Sequence, residues 1–230
     1  EEPRSTYKEV VMGSMNTMSL IAETFVSLTE HEPPEKIAVS DIVAASGKNR
    51  KTFYYHFVDK NHLIAWIFRC DLGMLLRKRF DENLLVYEHD ETGKDPLAQH
   101  PYYMFNKKGV RSLDQAGFFQ TLADCFEARR SYYAKVLHDS GQNSLRDYLY
   151  RLYVPALKDD VRFILSNRHL REESVDFLAE FYTGAFLSYL IGQTVNPKKH
   201  DIMEGVGPFC NIVHSSLENE IKEQQLRRML

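Results

Sequence analysis

Cysteine is scarce in this sequence. Only three of the 230 residues are cysteine, and Cys70, Cys125 and Cys210 lie far apart without a Cys-x-x-Cys pair. This number and this spacing argue against a disulfide framework and against a zinc site. We therefore expect a protein of a reducing compartment, the cytoplasm, that holds neither a metal ion nor a cofactor.

Long apolar runs, glycine and proline are scarce as well. No stretch approaches the roughly 18 uninterrupted apolar residues of a membrane-spanning helix, so a membrane is not an expected partner. The chain has 11 glycines and 8 prolines, and no segment keeps up the apolar–polar alternation that is typical of strands. The sequence predicts an all-α protein.

Positive charge is low overall but concentrated in one segment. The chain has 29 basic and 32 acidic residues, a net charge of −3, whereas a domain that binds nucleic acid is usually basic. Between residues 46 and 60, four basic residues stand against one acidic residue, a net charge of +3. The acidic remainder is expected to limit non-specific affinity for DNA.

The spacing of apolar residues divides the chain into two predicted parts. The predicted helices cover residues 16–30, 37–46, 50–56, 60–85, 113–139, 144–167, 172–195 and 201–228. Pro155 is expected to kink or split one of them. Residues 87–111 are polar and aperiodic, which predicts a long loop. We expect an N-terminal arm and a three-helix domain over residues 1–60, and a helical domain over residues 61–230.

A short turn that contains glycine separates the second and third predicted helices, which is the helix-turn-helix pattern. The turn reads 45-ASGKN-49; Gly47 ends one helix, and Asn49 is the predicted N-cap of the next. Ser40 is the predicted N-cap of the second helix. The third helix, 50-RKTFYYHF-57, combines basic, aromatic and hydroxyl side chains, which suit the base edges and phosphates of a DNA major groove.

Residues 37-IAVSDIVAASGKNRKTFYYHFVDKNHLI-64 resemble the DNA-binding domain of TetR-type transcriptional regulators in the glycine turn, the Thr-Phe-Tyr-Tyr-His-Phe run and the Asp-Lys pair. The resemblance implies a DNA-binding domain followed by a helical domain for ligand binding and dimerisation. Family members often read Gly-Val-Ser where this chain reads Gly47-Lys48-Asn49. The Asn-Arg-x-Thr-Phe-Tyr-Tyr-His-Phe variant is similar to a subgroup that includes regulators of dihydroxyacetone utilisation, both repressors and coactivators.

Nine residues are predicted to contact DNA. They are Ser40, Lys48, Arg50, Lys51, Thr52, Tyr54, Tyr55, His56 and Lys60. Arg50 and Lys51 open the third helix, the end that meets base edges. By resemblance, Thr52 and Tyr54 position the protein on the DNA backbone and Lys60 contacts a phosphate.

Some of these residues have an equally good structural interpretation. Ser40 can be a plain N-cap, and His56 can fill the boundary of the domain. Lys48 stands where the family places an apolar residue, so its stem can be buried while its ammonium faces a phosphate. Phe53 is expected in the core beside Ile42.

Aromatic residues are abundant, with 14 Phe and 13 Tyr. An aromatic cavity with few polar groups is typical of a site for a small organic molecule, although a bulky core is the commoner explanation of any one ring. The predicted effector contacts are Trp66, Tyr102, Phe126, His138, Tyr148 and Tyr182. The acidic pair Asp159-Asp160 is expected on a helix surface, in contact with solvent.

Gly184, Ser188 and Gly192 recur every four residues in the predicted helix 172–195, which allows close approach of a second helix. The final predicted helix carries a further apolar stripe. Two such hairpins across a two-fold axis would form a four-helix bundle. The predicted dimer contacts are Phe181, Gly184, Ser188, Ile191, Val206, Phe209, Val213 and Leu217.

These patterns predict a homodimeric regulator that binds a palindromic operator in double-stranded DNA, responds to a small-molecule effector and acts as a repressor. The alternative is a coactivator or interaction module that docks on another regulator without binding DNA, which Lys48 and the modest basicity motivate. No Gly-x-Ser-x-Gly, P-loop, Gly-x-Gly-x-x-Gly or His-Glu-x-x-His motif occurs, so no enzymatic activity is expected.

Overall fold

The structure is a computed structural model that describes residues 4–109, 112–113, 115–139, 144–165, 170–196 and 198, with 215, 219, 222, 223 and 226. The chain divides into two compact units, Glu1–Ile67 and Phe68–Leu230. None of the helices described is long and apolar enough to cross a membrane.

The N-terminal unit is helical. Its helices are α1 (Arg4–His31), α2 (Val39–Ala45), α3 (Arg50–His56) and the first part of α4 (Lys60–Arg79). The helix α1 begins earlier than predicted because no proline interrupts its first turns, and Gly13 weakens a helix by only about 1 kcal/mol. It ends as predicted before Pro33 and Pro34, which cannot continue a helix.

Apolar side chains from all of these helices form the core of the N-terminal unit. Ile21 and Phe25 of α1, Ile42 of α2 and Phe53 of α3 are fully buried, which confirms the predicted position of Phe53. Burial of one such side chain contributes about 1.5–3 kcal/mol. Because α2 and α3 have only seven residues each, packing rather than intrinsic helix stability holds them in place.

The described part of the C-terminal unit is also mainly helical. After α4 come α5 (Ala116–Ala128), α6 (Arg130–Val136), α7 (Leu145–Leu165) and α8 (Glu172–Val195). The all-α prediction is thus confirmed. The predicted helix 113–139 is two helices because Arg129 leaves the helical conformation, with φ −130° and ψ 45°. Pro155 does not split α7, and the predicted helix 201–228 lies outside the described residues except at isolated positions.

Short extended segments interrupt the predicted loop 87–111. A 3₁₀ turn (Glu82–Leu84) precedes β1 (Leu85–Val86), which pairs antiparallel with β2 (Tyr103–Met104), and β3 (Lys107–Gly109) pairs antiparallel with β4 (Ser112–Leu113). In the first pair, Val86 lies opposite Tyr103. This pairing joins β1, which follows α4, to β2, which precedes α5. Tyr103 is buried in this position.

The helices α7 and α8 share a buried apolar cluster. Val161 and Ile164 of α7 lie in it with Val175 and Leu178 of α8. On α7 these residues recur at a spacing of three to four, which is the apolar stripe that the sequence predicts for a packed helix. The same side of α7 also carries Tyr153 and Leu157, which line the cavity described below.

Candidate nucleic-acid interface and ligand cavity

A glycine turn and a side-chain cap set the direction of α3. Gly47 has a φ of +64°, in the left-handed region that a β-carbon disfavours. Asn49 is extended, and its side-chain oxygen accepts a hydrogen bond from the backbone N–H of Thr52 at 2.8 Å. Asn49 is therefore confirmed as the N-cap of α3. This cap and the buried Phe53 fix the start of α3 and its rotation about its own axis.

One side of α3 is open to solvent. Arg50 and Lys51 are exposed, and Tyr54 and Tyr55 expose 56% and 80% of their surface. These four positions share a helix face, whereas Phe53 points into the core. A guanidinium, an ammonium and two phenols on one short helix can reach base edges and phosphates at the same time.

Thr52 and His56 lie at the edges of this face and are half-buried. The Thr52 hydroxyl donates to the side-chain oxygen of Asn49 at 3.1 Å, which uses its one proton. The rings of His56 and Tyr55 meet edge to face with centroids 4.9 Å apart. Burial lowers the pKa of His56, so its ring is neutral at pH 7. The Thr52 hydroxyl thus takes part in the cap of α3, while the His56 ring packs against its neighbour on the helix.

Lys60 is engaged within the unit. Its Nζ donates to the carbonyl oxygens of Pro34 at 2.6 Å, Ile37 at 2.9 Å and Glu35 at 3.5 Å. An ammonium has three donors, and here all three point at the turn between α1 and α2. The expectation that Lys60 contacts a phosphate does not fit this geometry, because no donor is left for one.

The start of α2 differs from the prediction. Its N-cap is Ala38, and Ser40 lies inside the first turn, so the predicted Ser40 cap is wrong. Asp41 makes the cap from within the helix, since its carboxylate accepts a hydrogen bond from the Ala38 N–H at 2.8 Å. In the turn before α3, Lys48 is half-buried, as expected for a lysine whose stem packs while its ammonium stays in water.

The C-terminal unit contains a small cavity with mainly aromatic walls. Its lining residues are Tyr103, Gln115, Phe118, Phe119, Tyr153, Leu157, Tyr182, Thr183 and Phe186. Its accessible volume is about 30 Å³, which is room for roughly two water molecules. Tyr103 and Phe118 meet edge to face at 4.5 Å, and the Phe119 and Phe186 rings lie 4.1 Å apart. The rings therefore support one another, and the cavity is preformed.

A buried carboxyl group lies behind the polar end of the cavity. Asp160 of α7 is fully buried, and its Oδ2 accepts hydrogen bonds from the Tyr103 hydroxyl and the Gln115 amide, two groups of the cavity wall. Within the described part of the chain its Oδ1 has no hydrogen-bond partner, and neither has the buried hydroxyl of Thr183, a residue that also lines the cavity. Burial raises the pKa of Asp160 to about 7, although its two hydrogen bonds act in the opposite direction.

The expectation that both members of the acidic pair contact solvent is wrong for one of them. The Asp159 side chain is 73% exposed and forms an ion pair with Arg162 at 3.3 Å. Asp160 lies one turn after Ala156 and one turn before Ile164, on the buried side of α7. Helical geometry thus places two consecutive carboxyls in opposite environments.

The predicted effector contacts are scattered over the chain. Tyr182 lines the cavity, but the other five do not. Trp66 is 2% exposed and belongs to the core of the N-terminal unit. Phe126 is fully buried among other rings of the C-terminal core, and His138 is exposed after the end of α6. A bulky core, rather than a ligand site, explains Trp66 and Phe126.

Tyr102 and Tyr148, the other two predicted contacts, surround a buried arginine. Arg69 of α4 donates to the Tyr148 hydroxyl at 3.0 Å, to the Glu88 carboxylate and to the carbonyl oxygen of His100. Its guanidinium carbon lies 5.1 Å from the centre of the Tyr102 ring. Arg69 therefore anchors both ends of the segment 88–100 to α4.

The helix α8 presents an aromatic and small-residue stripe to solvent. Phe177 and Phe181 are 61% and 56% exposed, and their rings stack at 5.9 Å with an angle of 19° between planes. Ser188 is exposed and Gly184 half-buried, whereas Ile191 is buried in its own unit and so is not available as a dimer contact. The other predicted contacts, Val206, Phe209, Val213 and Leu217, lie outside the described residues.

The described residues contain no group of three or more His, Cys, Asp or Glu side chains placed to hold a metal ion. The Cys70 sulfur lies 3.2 Å from the His100 Nε2, and Cys125 is buried. Burial, together with the negative charge of Asp71, raises the pKa of both thiols. Both are therefore protonated at neutral pH and are poor nucleophiles.

Comparisons with known proteins match both units. The TetR-type family model described as "Transcriptional regulator C-terminal region" matches residues 115–204. The HTH-type dhaKLM operon transcriptional activator DhaS of Lactococcus lactis subsp. lactis is 34% identical over 68 residues, which are 30% of this chain and 36% of that protein. The match thus spans about a third of that relative's length. The solved structure of a dihydroxyacetone kinase operon activator DhaS has a TM-score of 0.52 at 14% identity, over 88% of this chain and 96% of that one.

The chain is therefore similar to TetR-type transcription regulators. The predicted resemblance to TetR-type regulators, including those of dihydroxyacetone utilisation, is confirmed. The matched TetR-type C-terminal region begins at Gln115 and contains most of the cavity wall. The likeness to the solved structure shows the fold.

Most of the cavity could not be found from the sequence. Tyr103 and Phe118 are aromatic residues among many, and no local pattern separates a ring that lines a cavity from a ring inside a core. Asp160 did carry a signal, since it interrupts the apolar side of α7 with a carboxyl group. Thr183 carried none.

Proposed function

We propose that the protein is a transcription regulator whose N-terminal unit binds DNA and whose C-terminal unit binds an effector and forms a dimer. The observation that carries the proposal is the exposed face of α3, which presents Arg50, Lys51, Tyr54 and Tyr55 on a helix fixed by the Asn49 cap. These side chains do little for the fold, because they lie outside the core. Their chemistry suits base edges and phosphates.

Charge favours DNA over a protein partner for this face. The segment from residue 46 to 60 has a net charge of +3 in a chain of net charge −3. The centres of protein–protein interfaces are depleted of charge and enriched in apolar groups. A helix that opens with Arg50 and Lys51 has the opposite character, and it fits a surface of phosphates. DNA binding therefore has more support than docking on another regulator.

The solvent-exposed stripe of α8 supports a homodimer. Two large aromatic side chains, Phe177 and Phe181, stack on the surface and gain little from that position in a monomer. Gly184 and Ser188 continue the stripe and allow a second helix to come close. In a two-fold dimer the stripe would meet its own copy, and two α3 helices would read half-sites about one DNA turn, or a multiple of it, apart.

The cavity supports an effector role for the C-terminal unit. A ligand regulates DNA binding only if it binds the DNA-competent and DNA-incompetent states with different affinity. The Lactococcus lactis relative is an activator by name, which favours activation over the repression expected from the sequence. We therefore propose activation as the direction of regulation.

Selection of binding sites from a random duplex library tests the function. The full chain is expected to enrich a two-fold symmetric sequence, and fluorescence anisotropy then gives its affinity. Arg50→Ala and Lys51→Ala should each weaken binding. Lys78→Ala removes the same charge from an exposed position of α4 and serves as the matched control. Failure to enrich any sequence, or an equal loss with the control, would refute the proposal.

A further inference from the structure

The buried carboxyl of Asp160 has no positive partner. Among the described residues its hydrogen bonds come from the neutral side chains of Tyr103 and Gln115, and no ion pair includes it. Burial and, less strongly, the neighbouring Asp159 raise its pKa. A buried charge without a counter-ion is unfavourable, and most proteins supply one. No described side chain supplies that counter-ion to Asp160.

The polar end of the cavity offers acceptors rather than donors. The Gln115 amide donates to Asp160 and, at 3.2 Å, to the Tyr103 oxygen. The single proton of the Tyr103 hydroxyl also goes to Asp160. The donors of Tyr103 and of the Gln115 amide are thus engaged with each other and with the carboxylate rather than with the cavity. Thr183, 4% exposed, belongs to the same wall, and its buried hydroxyl has no partner among the described residues. The two oxygens without a described partner, Thr183 Oγ1 and Asp160 Oδ1, can both accept, which favours a ligand that brings hydrogen-bond donors.

The remaining wall favours a cation. Among the residues that the structure describes, no lysine, arginine or histidine lines the cavity, so they offer an anionic ligand no positive charge. The rings of Tyr103, Phe118 and Tyr153 form one cluster with centroids 4.5–6.4 Å apart. Aromatic faces attract ammonium groups through their quadrupole, and this attraction grows when water is excluded.

We propose that the cavity binds a small organic cation, an alkylammonium, with Asp160 as its counter-ion and Thr183 as a hydrogen-bond acceptor. The inference deepens the proposed effector role of this cavity and rests on that role for its regulatory meaning. The accessible volume of about 30 Å³ limits the ligand to a few non-hydrogen atoms unless the rings move.

Three probes of nearly equal size and different charge test the ligand class. Propylammonium, 1-propanol and propionate are titrated into the full chain, without DNA, and saturable binding is followed by ligand-observed NMR. Propylammonium is expected to bind at least about ten times more tightly than 1-propanol, and propionate is not expected to bind. Equal or tighter binding of 1-propanol, binding of propionate, or no saturable binding of propylammonium overturns the proposal.

Two variants locate the binding to this cavity. Asp160→Asn should remove the preference for propylammonium over 1-propanol, whereas Asp159→Asn, which neutralises the exposed neighbour, should retain it. Thr183→Val leaves the carboxyl in place and should weaken propylammonium binding. It therefore provides an independent test if Asp160→Asn does not fold. A preference that persists in both Asp160→Asn and Thr183→Val overturns the proposal.

The outcome is separable from that of the proposed function. DNA binding by the free protein together with no binding of propylammonium rejects the ligand class and retains the regulator. Propylammonium binding by a protein that enriches no DNA sequence retains the ligand class and rejects the regulator.

Discussion

Lys60 is the residue at which the family resemblance and the geometry lead to opposite expectations. Resemblance makes it a phosphate contact, which would contribute to DNA affinity and little to stability. The structure directs its ammonium to the carbonyl oxygens of Pro34, Ile37 and Glu35 in the turn between α1 and α2. Replacement by methionine keeps the length of the apolar stem and removes all three donors. Lys60→Met therefore separates the two roles.

The expected loss of stability follows from two of these contacts. The bonds at 2.6 and 2.9 Å are short, and a hydrogen bond from a charged donor contributes about 1.5–3 kcal/mol. The turn is partly exposed, so water replaces some of the lost interaction. We expect Lys60→Met to lower the free energy of unfolding of the N-terminal unit by about 2–4 kcal/mol. For a chain of this size that is a fall in Tm of about 4–16 °C.

The fluorescence of Trp66 reports on this unit directly. It is the one tryptophan of the chain, it is 2% exposed, and its ring meets that of Phe57 at 5.7 Å. Urea unfolding followed at this fluorophore should show the loss for Lys60→Met. Lys51→Met, a change of the same kind on the exposed face of α3, should alter stability by less than about 0.5 kcal/mol.

DNA binding by the same two variants completes the test. Lys51→Met should reduce the slope of log affinity against log salt by about 0.9, the value for one lost phosphate contact. Lys60→Met should leave that slope unchanged on the protein that remains folded. Unchanged stability together with a reduced slope in Lys60→Met would refute the structural role.

Three further predictions follow from the C-terminal unit. Phe181→Glu should shift the dimer to monomer in analytical ultracentrifugation, whereas Met74→Glu, at another exposed apolar position, should not. The folded-state pKa of Asp160, about 7, lies above the unfolded value, so the folded protein retains a proton that the unfolded chain releases. The free energy of unfolding should therefore fall by up to about 4 kcal/mol as the pH rises from about 4 to about 7. Urea titrations at each pH should show this fall, and Asp160→Asn should abolish it. Arg69→Met should lower the free energy of unfolding by about 3–5 kcal/mol and speed proteolysis within residues 88–100. The same change at the exposed Arg151 should have neither effect.

The helix-turn-helix was predictable because its signals are local. Gly47 and Asn49 lie within three residues of one another, and each acts on the backbone beside it. The rotation of α3 follows from one buried ring, Phe53, and from helical periodicity. Lys60 was not predictable in the same way, because its partner Pro34 lies 26 residues away. A pattern of neighbours does not reveal a bond across that distance.

The cavity was even harder to predict, because its wall is built from elements that are distant in sequence. Its wall combines Tyr103 of β2, Phe118 of α5, Tyr153 of α7 and Phe186 of α8, which meet only in the folded unit. Their aromatic character is visible in the sequence, but their convergence depends on the packing of these elements. Asp160 was the exception, since a carboxyl on the apolar side of a helix is unusual in any sequence.

The central claim is that α3 reads a specific DNA sequence. Its most direct test is the affinity of the full chain for its selected duplex and for a scrambled duplex of the same composition, both at about 150 mM salt. We expect at least about 10³-fold tighter binding to the selected duplex. Arg50→Ala should remove most of this preference, while Lys78→Ala should leave it intact. Equal affinity for the two duplexes would contradict the account.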